Sequence, residues 1–540
     1  MYKQDTWWHR SSVYQIYPRS FYDSDGDGIG DLRGICAKLD YLAWLGVEVL
    51  WLCPVYASPN DDNGYDIADY RQIMADFGTM ADMDLLIAEA AKRGMTIMMD
   101  IVANHTSDEH AWFIAARKSK GNPYRDYYLW AKEPNALNST FGGSAWQFDA
   151  DTGEYYLHLF SKKQPDLNWH NPRVRQEIAD ILIFWLEKGI GGFRFDVIDL
   201  IGKVPEQGII ANGPRLHDYV RELNEKSFGP RHVLTVGESW TATPESGLLW
   251  SAPDRHELNM IFQFGHLTLD QSRTDGEKWD LAPYSLVALK AVLSSWQTAL
   301  QGKGWNSLFW NNHDTPRAVS RFGDEGRYRV ESAKMLATVM YGMPGTPFIY
   351  QGEEIGMTNI RFDDLADYRD IETLNLYRER LAAGFRPDSV MASIYAKGRD
   401  NARTPLQWNG EEHAGFSVGI PWIKANPNYR EVNIDAAQQD PHSILHYYRR
   451  LIALRKTARW LVYGGYEALL PQHEQLFAYV REYDGQQYLV FGNFSRQTLV
   501  VNPADLRLTS RAASILHNYA EPAHLARGVI RPWEAGIISL

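Results

Sequence analysis

Gly192-Phe193-Arg194-Phe195-Asp196 reads as a short buried strand that ends on an acid. Residues 182–188 just upstream finish an amphipathic helix, and the glycines at 189, 191 and 192 break it. Helix, break, strand is the half-unit of an α/β fold. Arg194 and Asp196 are two residues apart, so a strand places them on one face. There the guanidinium can bond the carboxylate and keep it ionised. A buried structural ion pair would read the same way from this stretch alone.

The rhythm continues in both directions. Upstream, the pattern predicts a strand at 13–17 stopped by Pro18, a helix over 31–45, a strand at 47–52, a helix over 81–93 and a strand at 95–102. Downstream, a helix over 214–227 and strands at 233–238, 258–264, 307–314 and 346–350 follow. Eight strands predict an α/β fold, a (β/α)8 TIM barrel. Between 106 and 172 the rhythm lapses into Trp, Tyr, Asn and Gly, which predicts a lobe inserted after the third strand. Beyond 461, short β runs separated by turns predict a C-terminal antiparallel β-sandwich. The expected division is a barrel of residues 1–104 and 172–461, a lobe of 105–171 and a sandwich of 462–540.

Composition narrows the function classes. The net charge of −12, with both signs interspersed, argues against a nucleic-acid partner. There is no run of about eighteen apolar residues for a membrane span, and the opening residues have no apolar leader core. Cys36 falls on a predicted helix and Cys53 just after a strand, so two buried thiols are expected rather than a bridge. That suits a reducing, cytoplasmic setting. The 19 Trp, 30 Tyr and 21 Phe can stack on sugar faces, although large cores use aromatics too.

The stretch Asp23-Ser24-Asp25-Gly26-Asp27-Gly28-Ile29-Gly30-Asp31 alternates acids around a sharp turn, with Ile29 able to offer its carbonyl. Such hard oxygens are the opening positions of a calcium loop. Its twelfth position is Gly34, so the closing glutamate of an EF-hand is missing. A solvated acidic turn capping the next helix is the alternative.

The strand ends carry the chemistry. The third leads to His105, the fourth to Arg194 and Asp196, the fifth to Glu238, and the seventh to His313 and Asp314. A closed barrel gathers such residues at one mouth. Three carboxylates there suit glycosidic cleavage: Asp196 as nucleophile, and Glu238, after an apolar strand and beside Trp240, as general acid with a raised pKa. Asp314 would favour the oxocarbenium-like transition state, and His105 and His313 would bond hydroxyls. No HxxxH or HxD spacing among these strand-end residues supports a zinc or iron site.

With these residues in place the chain resembles the α-amylase family of glycoside hydrolases. The likeness rests on Asp100-Ile-Val-Ala-Asn-His105, Gly192-Phe-Arg-Phe-Asp196, Val-Gly-Glu238 and Asn312-His-Asp314. Gln164-Pro-Asp-Leu-Asn168, the stretch from Tyr350 to Asn359 and the stretch from Arg399 to Trp408 resemble its oligo-1,6-glucosidase branch, with dextran glucosidases nearest. The resemblance implies a retaining double displacement by Asp196, Glu238 and Asp314. It implies that Tyr65 stacks on a terminal glucose, that Asp66 and Arg399 bind its far hydroxyls, and that Phe141 and Gln164 line the same pocket. It implies a structural Ca2+ at Asp23, Asp25, Asp27, Ile29 and Asp31. Val197 resembles α-1,6-preferring members, and Trp240 and Lys278 resemble groups that hold the second sugar. The expected partner is a small oligosaccharide, bound by a monomer.

Neighbouring activities make separate demands. Trehalose-6-phosphate hydrolases need a cationic phosphate pocket and usually lack the tryptophan found at 240. Sucrose isomerases carry an Arg-Leu-Asp-Arg-Asp loop where this chain has Thr268-Leu-Asp-Gln-Ser272. Hydrolysis of isomaltulose or trehalulose is a further alternative. Non-catalytic transporter subunits with this barrel lose a catalytic acid or gain a membrane span, and this chain does neither.

Overall fold

The computed structural model describes residues 6–272, 278–520 and 525–540. Residues 1–5, read above for a leader, and the residue before Lys278 lie outside that range. Eight strands form one parallel sheet: β1 Val13–Ile16, β2 Val49–Leu52, β3 Thr96–Val102, β4 Gly192–Asp196, β5 Leu234–Glu238, β6 Met260–Phe262, β7 Ser307–Leu308 and β8 Thr346–Tyr350. Their order is β6-β5-β4-β3-β2-β1-β8-β7. That order is circular in the chain, with β1 beside β8, and is the strand order of a (β/α)8 barrel. In register, Met98 pairs with Gly192 and Val102 with Asp196, while Leu234 pairs with Gly192 on the other side. A Cβ on Gly192 would stand 2.8 Å from the Leu234 carbonyl oxygen, so only glycine lets these strands close.

The chain divides into two compact units, one of residues 1–30, 38–49 and 264–540, the other of 31–37 and 50–263. The second holds β3 to β6 and the inserted stretch. That stretch is more regular than its texture suggests. It contains a helix, Ala111–Lys118, and an antiparallel sheet in the order Trp130–Ala131, Glu154–Leu157, Trp146–Asp149. Leu129, Ala145, Trp146, Leu157 and Leu159 form its small core.

The first unit holds β1, β7, β8 and the C-terminal strands. Five of these make an antiparallel sheet, in the order Gly465–Leu469, Leu476–Tyr483, Gln486–Asn493, Ala535–Ser539, Ala513–His517. The ribbon of Leu499–Val500 and Val529–Ile530 shares a core with it through Leu499, Ile530, Leu489, Phe491 and Ile538.

Several expectations are corrected. The helix expected over 31–45 is two, Leu32–Ala37 and Leu39–Leu45, divided at Lys38, whose ammonium lies over the rings of Tyr22 and Trp408 at 4.0 and 4.2 Å. The helix expected over 214–227 ends at Leu223 and passes into a π turn, Asn224–Phe228. The strand expected over 307–314 is only two residues long. Cys36 is half-buried rather than buried, while Cys53 is buried. Among the described residues no helix is long and apolar enough to cross a membrane.

Candidate active site

The ends of β3, β4 and β5 meet around one guanidinium. Arg194, 1% exposed, donates from Nη1 to Asp100 and to Asp196 at 2.7 Å each, and from Nη2 to Oε2 of Glu238. The register explains the meeting, because Asp100 pairs directly with Arg194 across the β3–β4 ladder. The strand face predicted for Arg194 and Asp196 is therefore real, but Arg194 is no private counter-ion. Burial pushes Asp196 up; Arg194 pulls it down, and Glu238 and Asp100 push it up again, so its carboxyl ends well above the ordinary value. The expected bond from Arg194 to Asp196 is present, and Arg194 favours the ionised form against burial and the two neighbouring acids. Three carboxylates thus share one guanidinium.

Glu238 keeps its other oxygen for Trp240, whose indole Nε1 donates to Oε1 at 2.9 Å while about half of the residue stays exposed. Val197 follows the strand end in the left-handed region, at φ 33° and ψ 48°, with its N–H 3.4 Å from Oε2 of Glu238. A β-branched residue there is strained and needs its surroundings to hold it.

The expected sugar ligands of this unit cluster too. Tyr65 donates its hydroxyl to Asp100 at 3.0 Å. His105 Nε2 lies 3.1 Å from the Tyr65 carbonyl and 3.2 Å from Nε2 of Gln164. Burial pushes His105 down to about 4, so it is neutral near pH 7. Asp66 is fully buried and accepts the backbone N–H groups of Asp61 and Asp62 at 2.8 and 3.0 Å. Burial still pushes its carboxyl above the ordinary value. Phe141 meets Phe160 edge-on at 5.6 Å, and the Phe160 ring lies 5.2 Å from that of His105. Phe160 was not anticipated, and nothing in its local sequence marks it.

The other unit contains a second cluster, gathered from loops and helices. After β7 the chain turns at Asn312, whose Oδ1 accepts the Asp314 N–H at 2.9 Å, so a turn rather than a strand end presents Asp314. Asp314 Oδ2 lies 2.9 Å from His313 Nε2, and Oδ1 accepts Arg403 Nη2 at 2.7 Å, with Arg399 Nη1 at 3.4 Å. Burial would raise Asp314, but His313, Arg403 and Arg399 outweigh it and hold the carboxyl well below its usual range. His313 is fully buried, with Nδ1 2.9 Å from Nε2 of Gln15. Lys278 pairs with Glu372 at 2.7 Å, and Arg399 Nε lies 3.5 Å from that same carboxylate. Arg403, Glu372 and Asp370 were not anticipated; their partners lie tens of residues away. Asp270, in the stretch compared above with the isomerase loop, is bonded by Arg321 and Lys397.

In the acidic loop, carboxylate oxygens of Asp23, Asp25 and Asp27 lie within 4.8 Å of one another. Asp23 is oriented by the N–H groups of Gly26 and Gly28 at 2.7 and 2.8 Å and by the Ser417 hydroxyl at 2.5 Å. This set of hard oxygens fits Ca2+. Asp31 belongs to the other unit, where its Oδ1 accepts the Gly34 N–H at 2.7 Å and caps the helix.

The profile of the α-amylase catalytic domain matches residues 15–464. The chain is 55% identical to an oligo-1,6-glucosidase of Parageobacillus thermoglucosidasius, over 99% of both chains. It is 51% identical to a glucan 1,6-alpha-glucosidase of Streptococcus pneumoniae, over 99% of this chain and all of the relative. Among solved structures, the trehalose-6-phosphate hydrolase of Bacillus licheniformis superposes with a TM-score of 0.93 at 44% identity, over 99% of this chain and all of that one.

Proposed function

The chain belongs to the α-amylase family of glycoside hydrolases, and on that premise we propose that it is a retaining, exo-acting α-glucosidase. Its substrates would be α-1,6 bonds at the non-reducing ends of isomaltose, isomaltooligosaccharides, panose or dextran. The observation that carries the chemistry is Arg194 holding Asp196 and Glu238 on its two terminal nitrogens. Carboxyls one guanidinium apart suit the short separation of retention, about 5–5.5 Å, rather than the wider gap of inversion. In this reading the Asp196 carboxylate attacks the anomeric carbon while Glu238 gives its proton to the leaving oxygen. Glu238 then takes a proton from water, which releases glucose from Asp196. Asp314, kept ionised by its cations, supports the oxocarbenium-like transition state.

The specificity reading rests on Val197, Trp240 and Lys278 and on relatives above 50% identity named for α-1,6 bonds. Tyr65, Asp66, His105, Phe141, Gln164, His313 and Arg399 take the terminal glucose. A structural Ca2+ held by Asp23, Asp25 and Asp27, with the Ile29 carbonyl and Asp31, would brace the loop and take no part in the chemistry. We place the enzyme in the cytoplasm as a monomer. NMR of the first glucose released tests the mechanism: the α-anomer is expected, and initial β-anomer would overturn retention.

A further inference from the structure

The pairing around Arg399 points to one more residue of the sugar-binding machinery, an inference that rests on the reading of Arg399 and Asp314 above. Nε and Nη2 of Arg399 both bond Oδ1 of Asp370, at 2.8 and 2.6 Å, and Nη1 reaches toward Asp314. A guanidinium is planar, so holding one edge fixes where its remaining nitrogen points.

Asp370 is itself tightly held. It is fully buried and caps the helix Ile371–Ala382, with Oδ1 accepting the Glu372 N–H at 3.2 Å. Oδ2 accepts the N–H and hydroxyl of Thr373 at 3.1 and 2.6 Å. The backbone beneath it is pinned by Asp400, whose Oδ2 accepts the N–H groups of Arg369 and Asp370 at 2.7 and 3.0 Å. Burial alone would raise Asp370, but Arg399 and then Arg403 hold its carboxyl below the ordinary value, so the anchor stays charged.

We propose that Asp370 is a positioning residue of the terminal-sugar site: it touches no substrate, but it aims the guanidinium of Arg399 and so governs sugar binding through it. A helix cap that merely neutralises a buried cation would show the same bonds but not the same kinetics. The test compares the full-length enzyme with Asp370→Asn, Arg399→Ala and the double variant, measuring kcat and KM on p-nitrophenyl α-glucoside and isomaltose. Asparagine keeps a capping oxygen, and thermal unfolding confirms the fold. Loss of a charge-assisted pair predicts a KM raised ~10- to 100-fold, with kcat reduced less. The double variant should be no worse than Arg399→Ala, because both changes act on one interaction.

A wild-type KM for Asp370→Asn, or additive losses in the double variant, would overturn the proposal while leaving Arg399 as a sugar ligand. A wild-type KM for Arg399→Ala would overturn the underlying reading instead. Should Asp370→Asn fail to fold, Thr373→Val removes only the hydroxyl donor to Asp370. It should raise KM about threefold, an effect lost in the Arg399→Ala background, and an unchanged KM would count against the proposal.

Discussion

The indole N–H of Trp240 is bonded to Oε1 of Glu238 at 2.9 Å, although about half of the tryptophan is exposed. In the proposed reading one residue thus touches the acid/base and offers an aromatic face to the leaving group. Trp240→Phe should lower kcat/KM for isomaltose about tenfold more than for an aryl α-glucoside, whose leaving group needs little protonation or sugar stacking. Equal losses on both substrates would confine Trp240 to the acid/base bond.

Val197 holds a left-handed backbone that a β-branched residue avoids, at a cost of about 1–3 kcal/mol. Its N–H lies 3.4 Å from Oε2 of Glu238, the proposed acid/base. Val197→Ala or Val197→Thr should raise maltose hydrolysis relative to isomaltose by about tenfold. A ratio that does not change would reduce Val197 to packing.

Asp196→Asn should lower kcat by ~10⁴ or more while Tm stays within a few degrees of wild type. It removes one of three carboxylates on Arg194 but keeps an oxygen for the bond. More than trace turnover by the pure variant would move the nucleophile elsewhere.

How much of this was legible in the sequence follows from the range of each interaction. β4 and β8 span the residues expected, because glycine breaks and unbroken apolar runs are local signals. The run at 307–314 has the same apolar texture, yet Phe309 and Trp310 are buried beyond a two-residue strand and Asn312 turns the chain. Asp100 lay inside a recognised motif, but its bond to Arg194 depends on β3–β4 register, which no local pattern gives. Asp370 and Arg403 owe their positions to partners 29 and 89 residues away.

A buried carboxyl apart from the chemistry should leave its mark on stability. Burial pushes Glu353 up from 4.5 to about 7, and the hydroxyls of Tyr341 and Tyr448, both donating to Oε1, offset only part of that. A raised folded pKa means that stability from this group is complete below about 4.5 and is lost as pH rises through 7, by roughly 3 kcal/mol. Glu353→Gln should match wild type at pH 4.5 and melt several degrees higher at pH 8. Identical melting differences at both pH values would refute the assignment.

Calcium removal should act on stability alone. With Asp23, Asp25 and Asp27 as ligands, EGTA or Asp25→Asn should lower Tm by several degrees and leave kcat at 25 °C unchanged. A chelated enzyme with the same Tm would leave the loop an acidic turn.

The most direct test of the central claim is the initial rate of glucose release from isomaltose, trehalose 6-phosphate, maltose and sucrose, measured side by side. The account predicts that isomaltose leads clearly, as the proposed reading of Val197, Trp240 and Lys278 requires. A lead by trehalose 6-phosphate would leave the barrel and its three acids standing and contradict the α-1,6 reading of the second-sugar site.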